Sequence, residues 1–269
     1  MSRMSRQDPL IENHTVDYVP LAERHGKARD LFTLWFSTNI APLPIVTGAM
    51  VVQVFHLNLF WGLLAIALGH MVGGVVIALA SAQGPCMGIP QMVQSRGQFG
   101  RYGALLIVFF AALIYIGFFI SNIVLAGCCV VALGASANFI SQFIGLILAL
   151  LLVLLVLLVL LVLVPWASIN LIDFYLIKRG RYDIASIFRA DGGIYGRFNL
   201  HAIIAYFIGI IVQLPFANTS LYVGPYANLV DGADLSWLVG LVVTCPLYYC
   251  LATRSQSQES RSVELGYTD

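Results

Sequence analysis

Long apolar runs separated by short polar stretches set the pattern of this chain. Residues 31–54, 57–82, 104–132, 139–166, 201–221 and 235–252 are each dominated by apolar side chains. A helix needs about 20 such residues to cross the hydrocarbon core of a bilayer. Inside lipid every backbone N–H and C=O must find a partner within the chain, so each run is predicted to be a helix and not an open strand. The pattern predicts an all-α integral membrane protein of about six spans. A polar segment, 1–30, precedes the first run, and a polar tail, 253–269, follows the last.

Composition sharpens this picture. Only 10% of residues are charged and 59% are hydrophobic, where soluble domains carry about 25% charged residues. The mean hydropathy is +0.88. A net charge of +1 gives no reason to expect a nucleic-acid partner. Residues 1–30 lack the apolar core of a signal peptide. The cysteines Cys86, Cys128, Cys129, Cys245 and Cys250 form no CxxC pair, and most fall in apolar runs where cysteine packs as a small hydrophobe. Neither a redox or metal centre nor an organic cofactor is expected.

The basic residues set the topology. Segments 1–30, 83–103, 167–200 and 253–269 hold 5, 2, 5 and 2 Lys and Arg, which is all 14 in the chain. The intervening loops hold none, while Asp231 and Asp234 lie there. Cytoplasmic loops are the basic ones. The expectation is a multi-pass protein of the cytoplasmic membrane with both termini in the cytoplasm and lipid as its surroundings.

Three runs carry finer features. The first reads LFTLWFSTNIAPLPIVTGAM, with Pro42 and Pro44 in mid-membrane. Proline removes an amide donor and clashes with the preceding turn. The result is either a plain kink or a broken helix whose freed carbonyls can coordinate a cation. The second run has Gly62, Gly69, Gly73, Gly74 and Ala80, small residues that allow close helix packing, and one titratable group, His70, read as a packing histidine. No Asp or Glu lies deep in any run; Asp173 is placed at the cytoplasmic end of the fourth, so a carboxylate proton relay has no candidate. That fourth run, LALLLVLLVLLVLLVLVPW at 148–166, offers no hydrogen-bonding side chain over 148–164. No HExxH, GxSxG or phosphate loop occurs, and an enzyme is not expected.

Three stretches carry a resemblance. The loop GIPQMVQSRGQFGRYG, the interrupted helix DLFTLWFSTNIAPLP, and INLIDFYLIKRGRYDIASIF followed by GGIYGRFNLHAIIAYFIG together resemble the nucleobase:cation symporter family of cytosine, purine, uracil, allantoin and hydantoin permeases. Members have roughly twelve spans, the first ten forming two inverted five-helix repeats. This chain resembles spans one to three and then ten to twelve, so about six family spans are absent and the Leu-Val run stands where the chain crosses the gap. The implied fold is a partial version of the inverted-repeat transporter fold. Gln91, Ser95 and Arg96 belong to the loop motif, read as an anchor between the second and third spans.

The resemblance also implies sites. In that family main-chain oxygens at the break in span one and groups from span eight hold sodium. Ser37 and Ile40 match the span-one positions and would act through main-chain carbonyls, giving a sodium half-site; the coupling ion is Na+ or, as the alternative, H+. In that family a flat heterocycle is sandwiched between aromatic rings of spans three and six, with an amide nearby. Phe118 matches the stacking position, where relatives often carry Trp, and Asn122 lies one helical turn on. Asn39 and Ala41 at the break complete the implied substrate contacts. The implied partner is a nucleobase-like small molecule of cytosine or purine type, taken up with a cation. The alternative is a non-transporting membrane scaffold or assembly partner, because rocking needs two repeats around one site. Oligomeric state is left open.

Overall fold

The computed structural model of the chain describes residues 16–24, 27–40, 42–132, 159–219, 222–230 and 232–264. The described residues are helical, with one isolated antiparallel bridge between Asn218 and Val223. The expected all-α class holds. The body of the Leu-Val run, 148–158, lies outside the described residues.

The first apolar run is two helices. α1 spans Ala28–Asn39 and α2 spans Pro42–Gln53. Between them Ile40 leaves the helical region, with φ −79° and ψ 75°. Pro42 has no N–H to continue the ladder of α1 and instead opens α2, where a first-turn donor has no partner to lose. α3, Leu59–Ser81, starts at Asn58, whose side chain accepts the Trp61 N–H at 2.9 Å, a standard way to satisfy an orphan donor. Two short helices follow, α4 at Gln83–Met87 and α5 at Gln91–Phe99, and then the long α6 at Gly103–Ala132. α7, Val164–Leu171, is flanked by wide π turns at Val159–Leu163 and Ile172–Ile177. After α8 at Ile184–Phe188 come α9 at Leu200–Gln213 and α10 at Ser236–Glu264. Among the described residues three helical stretches are long and apolar enough to cross a membrane: Leu59–Met87, Gly103–Leu125 and Ser236–Ser255. Leu161–Ile177 and Leu200–Phe216 are shorter apolar helices.

The packed body is made by α5, α6, α7, α9 and α10. Its centre is Phe99, Ile107, Trp166, Ile169, Ala202, Ala205, Tyr206 and Tyr248. Lipid tails are as apolar as leucine, so close approach drives the packing. Small residues supply it: a Cβ added to Gly209 of α9 would lie 2.3 Å from the Thr244 hydroxyl of α10 and 2.9 Å from Pro165 of α7. Phe99 and Tyr206 meet edge to face, with centroids 5.8 Å apart. Outside this body α1, α2 and α3 present large apolar side chains outward, among them Phe32, Trp35, Phe60, Trp61 and Met71. In a bilayer such faces meet acyl chains. His70 sits on that outer face, exposed, and bonds its own helix through the Ile66 carbonyl at 2.9 Å. Cys86, in the polar segment after α3, and Cys250, on α10, are exposed as well.

Candidate functional site

The residues at the break are held locally. The Ile40 N–H donates to the Ser37 carbonyl at 3.3 Å, the Ser37 hydroxyl donates to the Leu34 carbonyl at 2.9 Å, and the Asn39 amide donates to the Trp35 carbonyl at 2.7 Å. Each polar group is thus turned back onto α1, and Ser37, Asn39 and Ile40 are exposed. Ala41 lies outside the described residues. On α6, the Asn122 amide donates to the Phe118 carbonyl at 2.9 Å. The two residues do share one helical face. Phe118 is 42% exposed, so its ring stands free on one side. α2 packs against α6 and α3. Among the described residues, no hydrogen bond or ring contact joins Ser37, Asn39 or Ile40 to Phe118 or Asn122.

The loop motif, read as an anchor between the second and third spans, is itself a helix of the packed body. Gln94, Ser95, Gly97, Gln98 and Phe99 of α5 are buried. The Trp166 indole N–H donates to the Ser95 hydroxyl at 3.1 Å, across 71 residues. The motif's glycines are contact points. A Cβ on Gly97 would lie 2.7 Å from the Tyr182 ring, and one on Gly100, whose φ is +79°, would meet the Arg197 backbone at 2.9 Å. Backbone bonds from Tyr102 to Arg197 (2.9 Å), Arg101 to Gly196 (3.1 Å) and Asn199 to Phe99 (2.9 Å) fasten the α5–α6 turn to the segment before α9. Two of the stretches that carry the family resemblance are therefore bound to each other in space.

A second polar centre lies where none was expected. Asp173 is 2% exposed and sits in the π turn that continues α7, at the end of the fourth run where the sequence places it but buried in the packed body. Its carboxylate accepts hydrogen bonds from the Tyr248 hydroxyl of α10, at 2.8 Å, and from the Tyr182 hydroxyl. The wide turn makes this placement possible, because the extra residue per turn rotates Asp173 toward α10. Tyr182 is stacked on Phe174, with centroids 6.1 Å apart. Burial, and after it the Asp173 charge, push the Tyr182 phenol well above its ordinary value. Burial likewise raises Tyr195, whose hydroxyl accepts the Asp183 N–H at 2.8 Å. A cavity of about 330 Å³ opens beside this centre. Asp173, Lys178, Tyr195, Asn199, His201 and Tyr248 supply its polar lining.

The sequence held a signal for this centre. Asn170 and Asp173 stand one turn apart in an otherwise apolar stretch, and an ionisable residue in such a stretch marks a functional hypothesis. Placing the end of the fourth run at 166 hid it. The tyrosine partners come from 9 and 75 residues away, and no local pattern links them.

Comparison with known proteins fits this geometry. Residues 18–164 and 149–240 match the family described as permease for cytosine/purines, uracil, thiamine, allantoin. The two matched segments overlap inside the Leu-Val run. The protein named "Putative purine-cytosine permease YxlA" of Bacillus subtilis (strain 168) is 26% identical over an alignment of 439 residues, covering 90% of this chain and 96% of the relative. That alignment is longer than the 269 residues here, so it crosses a stretch of the relative with no counterpart in this chain. No solved structure matches the chain.

Proposed function

The chain belongs to the family of permeases for cytosine/purines, uracil, thiamine and allantoin, and on that premise we propose that it moves a nucleobase-like heterocycle of cytosine or purine type across the cytoplasmic membrane, coupled to a cation. It is an integral membrane protein of permease type and not an enzyme. The observation that carries the finer reading is the break at Ile40 between α1 and α2. Such breaks present main-chain oxygens to an ion in secondary transporters. Ser37 and Ile40 would offer carbonyls to sodium, a hard cation that takes oxygen ligands. Phe118 would stack on the heterocycle, and Asn39, Ala41 and Asn122 would meet its polar edge. A flat ring against an aromatic face with a few placed polar groups is the usual make-up of a small-molecule site. The basic bias of the loops supports six spans, 31–54, 57–82, 104–132, 139–166, 201–221 and 235–252, with both termini in the cytoplasm.

A second reading rests on a specific observation. The Ser37 hydroxyl and the Asn39 amide of α1 bond within α1, and Phe118 is open on one side. A chain lacking the inverted partner repeat would then serve as a non-transporting scaffold. Uptake of labelled cytosine, adenine, hypoxanthine and uracil decides between them, in cells lacking their own permeases and with the sodium gradient present or collapsed. Gradient-dependent uptake of one base supports transport. Absence of uptake from protein shown to be inserted in the membrane retires transport and leaves the scaffold.

A further inference from the structure

The Asp173 centre is used neither by the substrate contacts nor by the cation half-site proposed above. It joins three separate pieces of the chain. Asp173 belongs to the π turn after α7, Tyr182 to the segment 178–183, and Tyr248 to α10. Both carboxylate oxygens are engaged: Oδ2 with Tyr182, Oδ1 with Tyr248. The turn that carries Tyr182 is closed on the same helix end, since the Lys178 N–H donates to the Asp173 carbonyl at 2.7 Å and the Gly180 N–H to the Phe174 carbonyl at 2.8 Å. Asp173 and Tyr248 also face the cavity of about 330 Å³, so a solvent proton has a route to a carboxylate that is otherwise buried. Two buried amides stand near: Gln98 on α5, which interacts with the Tyr182 hydroxyl, and Asn170, three residues before Asp173, whose side-chain polar atoms have no hydrogen-bond partner among the described residues. Unpaired buried polar groups of this kind are where ordered water resides.

We infer that Asp173 is a proton-binding site that latches the 178–183 segment and α10 to α7 when ionised and loosens both when it takes up a proton from the cavity. The chemistry follows from hydrogen-bond counting. An ionised carboxylate only accepts, and phenol bonds to it are charge-assisted. Adding a proton turns one oxygen into a donor, so the tyrosine facing it must reverse and accept, and both bonds lose their charge assistance. No further reactant is needed: the proton comes from water in the cavity and returns there. The other titratable or charged groups that face the site are Tyr182, Lys178 and Tyr195 on the segment after α7, His201 on α9 and Tyr248 on α10. Lys178 favours the ionised form of Asp173. His201 is the group whose own titration could imitate the effect.

Hydrogen exchange of the intact, solubilised protein tests this, and it needs no transport, so its failure is separable from failure of the proposed function. Protection of the Lys178 and Gly180 amides, corrected for intrinsic exchange, is followed as pH is lowered from about 8 to about 4. Protection is expected to fall about tenfold per pH unit below the Asp173 midpoint, in the limit where opening follows protonation. Asp173→Asn, a neutral side chain of the same shape, is expected to remove the pH dependence and stay at the loosened level. Tyr248→Phe keeps the carboxylate but deletes a donor to its charged form, so the midpoint should move to higher pH. His201→Gln should leave the midpoint where it was. A midpoint that survives in Asp173→Asn, that vanishes in His201→Gln, or that does not move in Tyr248→Phe overturns the inference, as does protection independent of pH. Should Asp173→Asn not fold, the direction of the Tyr248→Phe shift decides alone, since a purely structural bond would change protection without moving a midpoint.

Discussion

The indole N–H of Trp166 on α7 donates to the hydroxyl of Ser95 on α5 at 3.1 Å, with both side chains buried. This one bond ties the family's loop motif to the helix that follows the Leu-Val run. It shows that the motif is an interior helix and not a surface connection.

Ser95→Ala would leave that indole N–H without an acceptor. An orphaned buried donor costs about 1–3 kcal/mol. The thermal unfolding midpoint of the purified protein should drop accordingly, while Ser81→Ala, on exposed α3 and bonded to its own helix at Ala78, should change it little. Equal midpoints for the two variants would refute the tie.

Gly97→Ala places a methyl group where the Tyr182 ring now lies, 2.7 Å from Cε1. Overpacking of this sort costs about 1–3 kcal/mol, and here the tyrosine yields first because its segment is at the edge of the body. Limited proteolysis at the basic residues Lys178, Arg179 and Arg181 should accelerate in the variant. Unchanged cleavage would mean that the ring has room to move without releasing the segment.

The turn before α9 should respond to strong acid. Asp191 accepts from the Arg189 guanidinium at 2.7 and 3.0 Å and from the Gly193 N–H at 2.9 Å, and these hold its carboxyl at about 2, below the ordinary 3.8. The folded value is depressed, so the stabilising contribution is present above 3.8 and is lost as pH falls through about 2. Asp191 is exposed, so the effect is local to the turn. Carboxyl titration by NMR should place the Asp191 midpoint near 2, and Arg189→Gln should raise it toward the ordinary range; a midpoint unaffected by that substitution would remove Arg189 as the cause.

Phe118→Ala separates substrate binding from packing. The ring is 42% exposed, so its loss should cost less than about 1 kcal/mol of stability. If it stacks on the transported heterocycle, uptake should fall about tenfold or more, since an aromatic stack contributes roughly 1–3 kcal/mol per base. Normal uptake in a stably inserted variant would move the substrate elsewhere.

Much of the fold was legible because lipid leaves the backbone few options. The described parts of the apolar runs are helical, and the first run divides between Asn39 and Pro42, where a proline without an N–H opens the second helix. The Phe118–Asn122 turn on α6 was legible from spacing alone. Asp173 was not, because its burial depends on a π turn and on two tyrosines far along the chain. The interior position of α5 was not legible either. Its polar sequence, QMVQSRGQF, reads as a water-facing loop until Trp166 is known to lie against it.

That dependence also orders the protein's own assembly. Synthesis runs from the amino end, so α5 emerges long before Trp166, and before the Tyr206 and Tyr248 rings that complete the body. Until then Ser95 lacks the indole that bonds it, while Gln94 already donates to Met87 of the preceding helix at 3.0 Å. The burial of the signature helix is thus completed only by helices made after it.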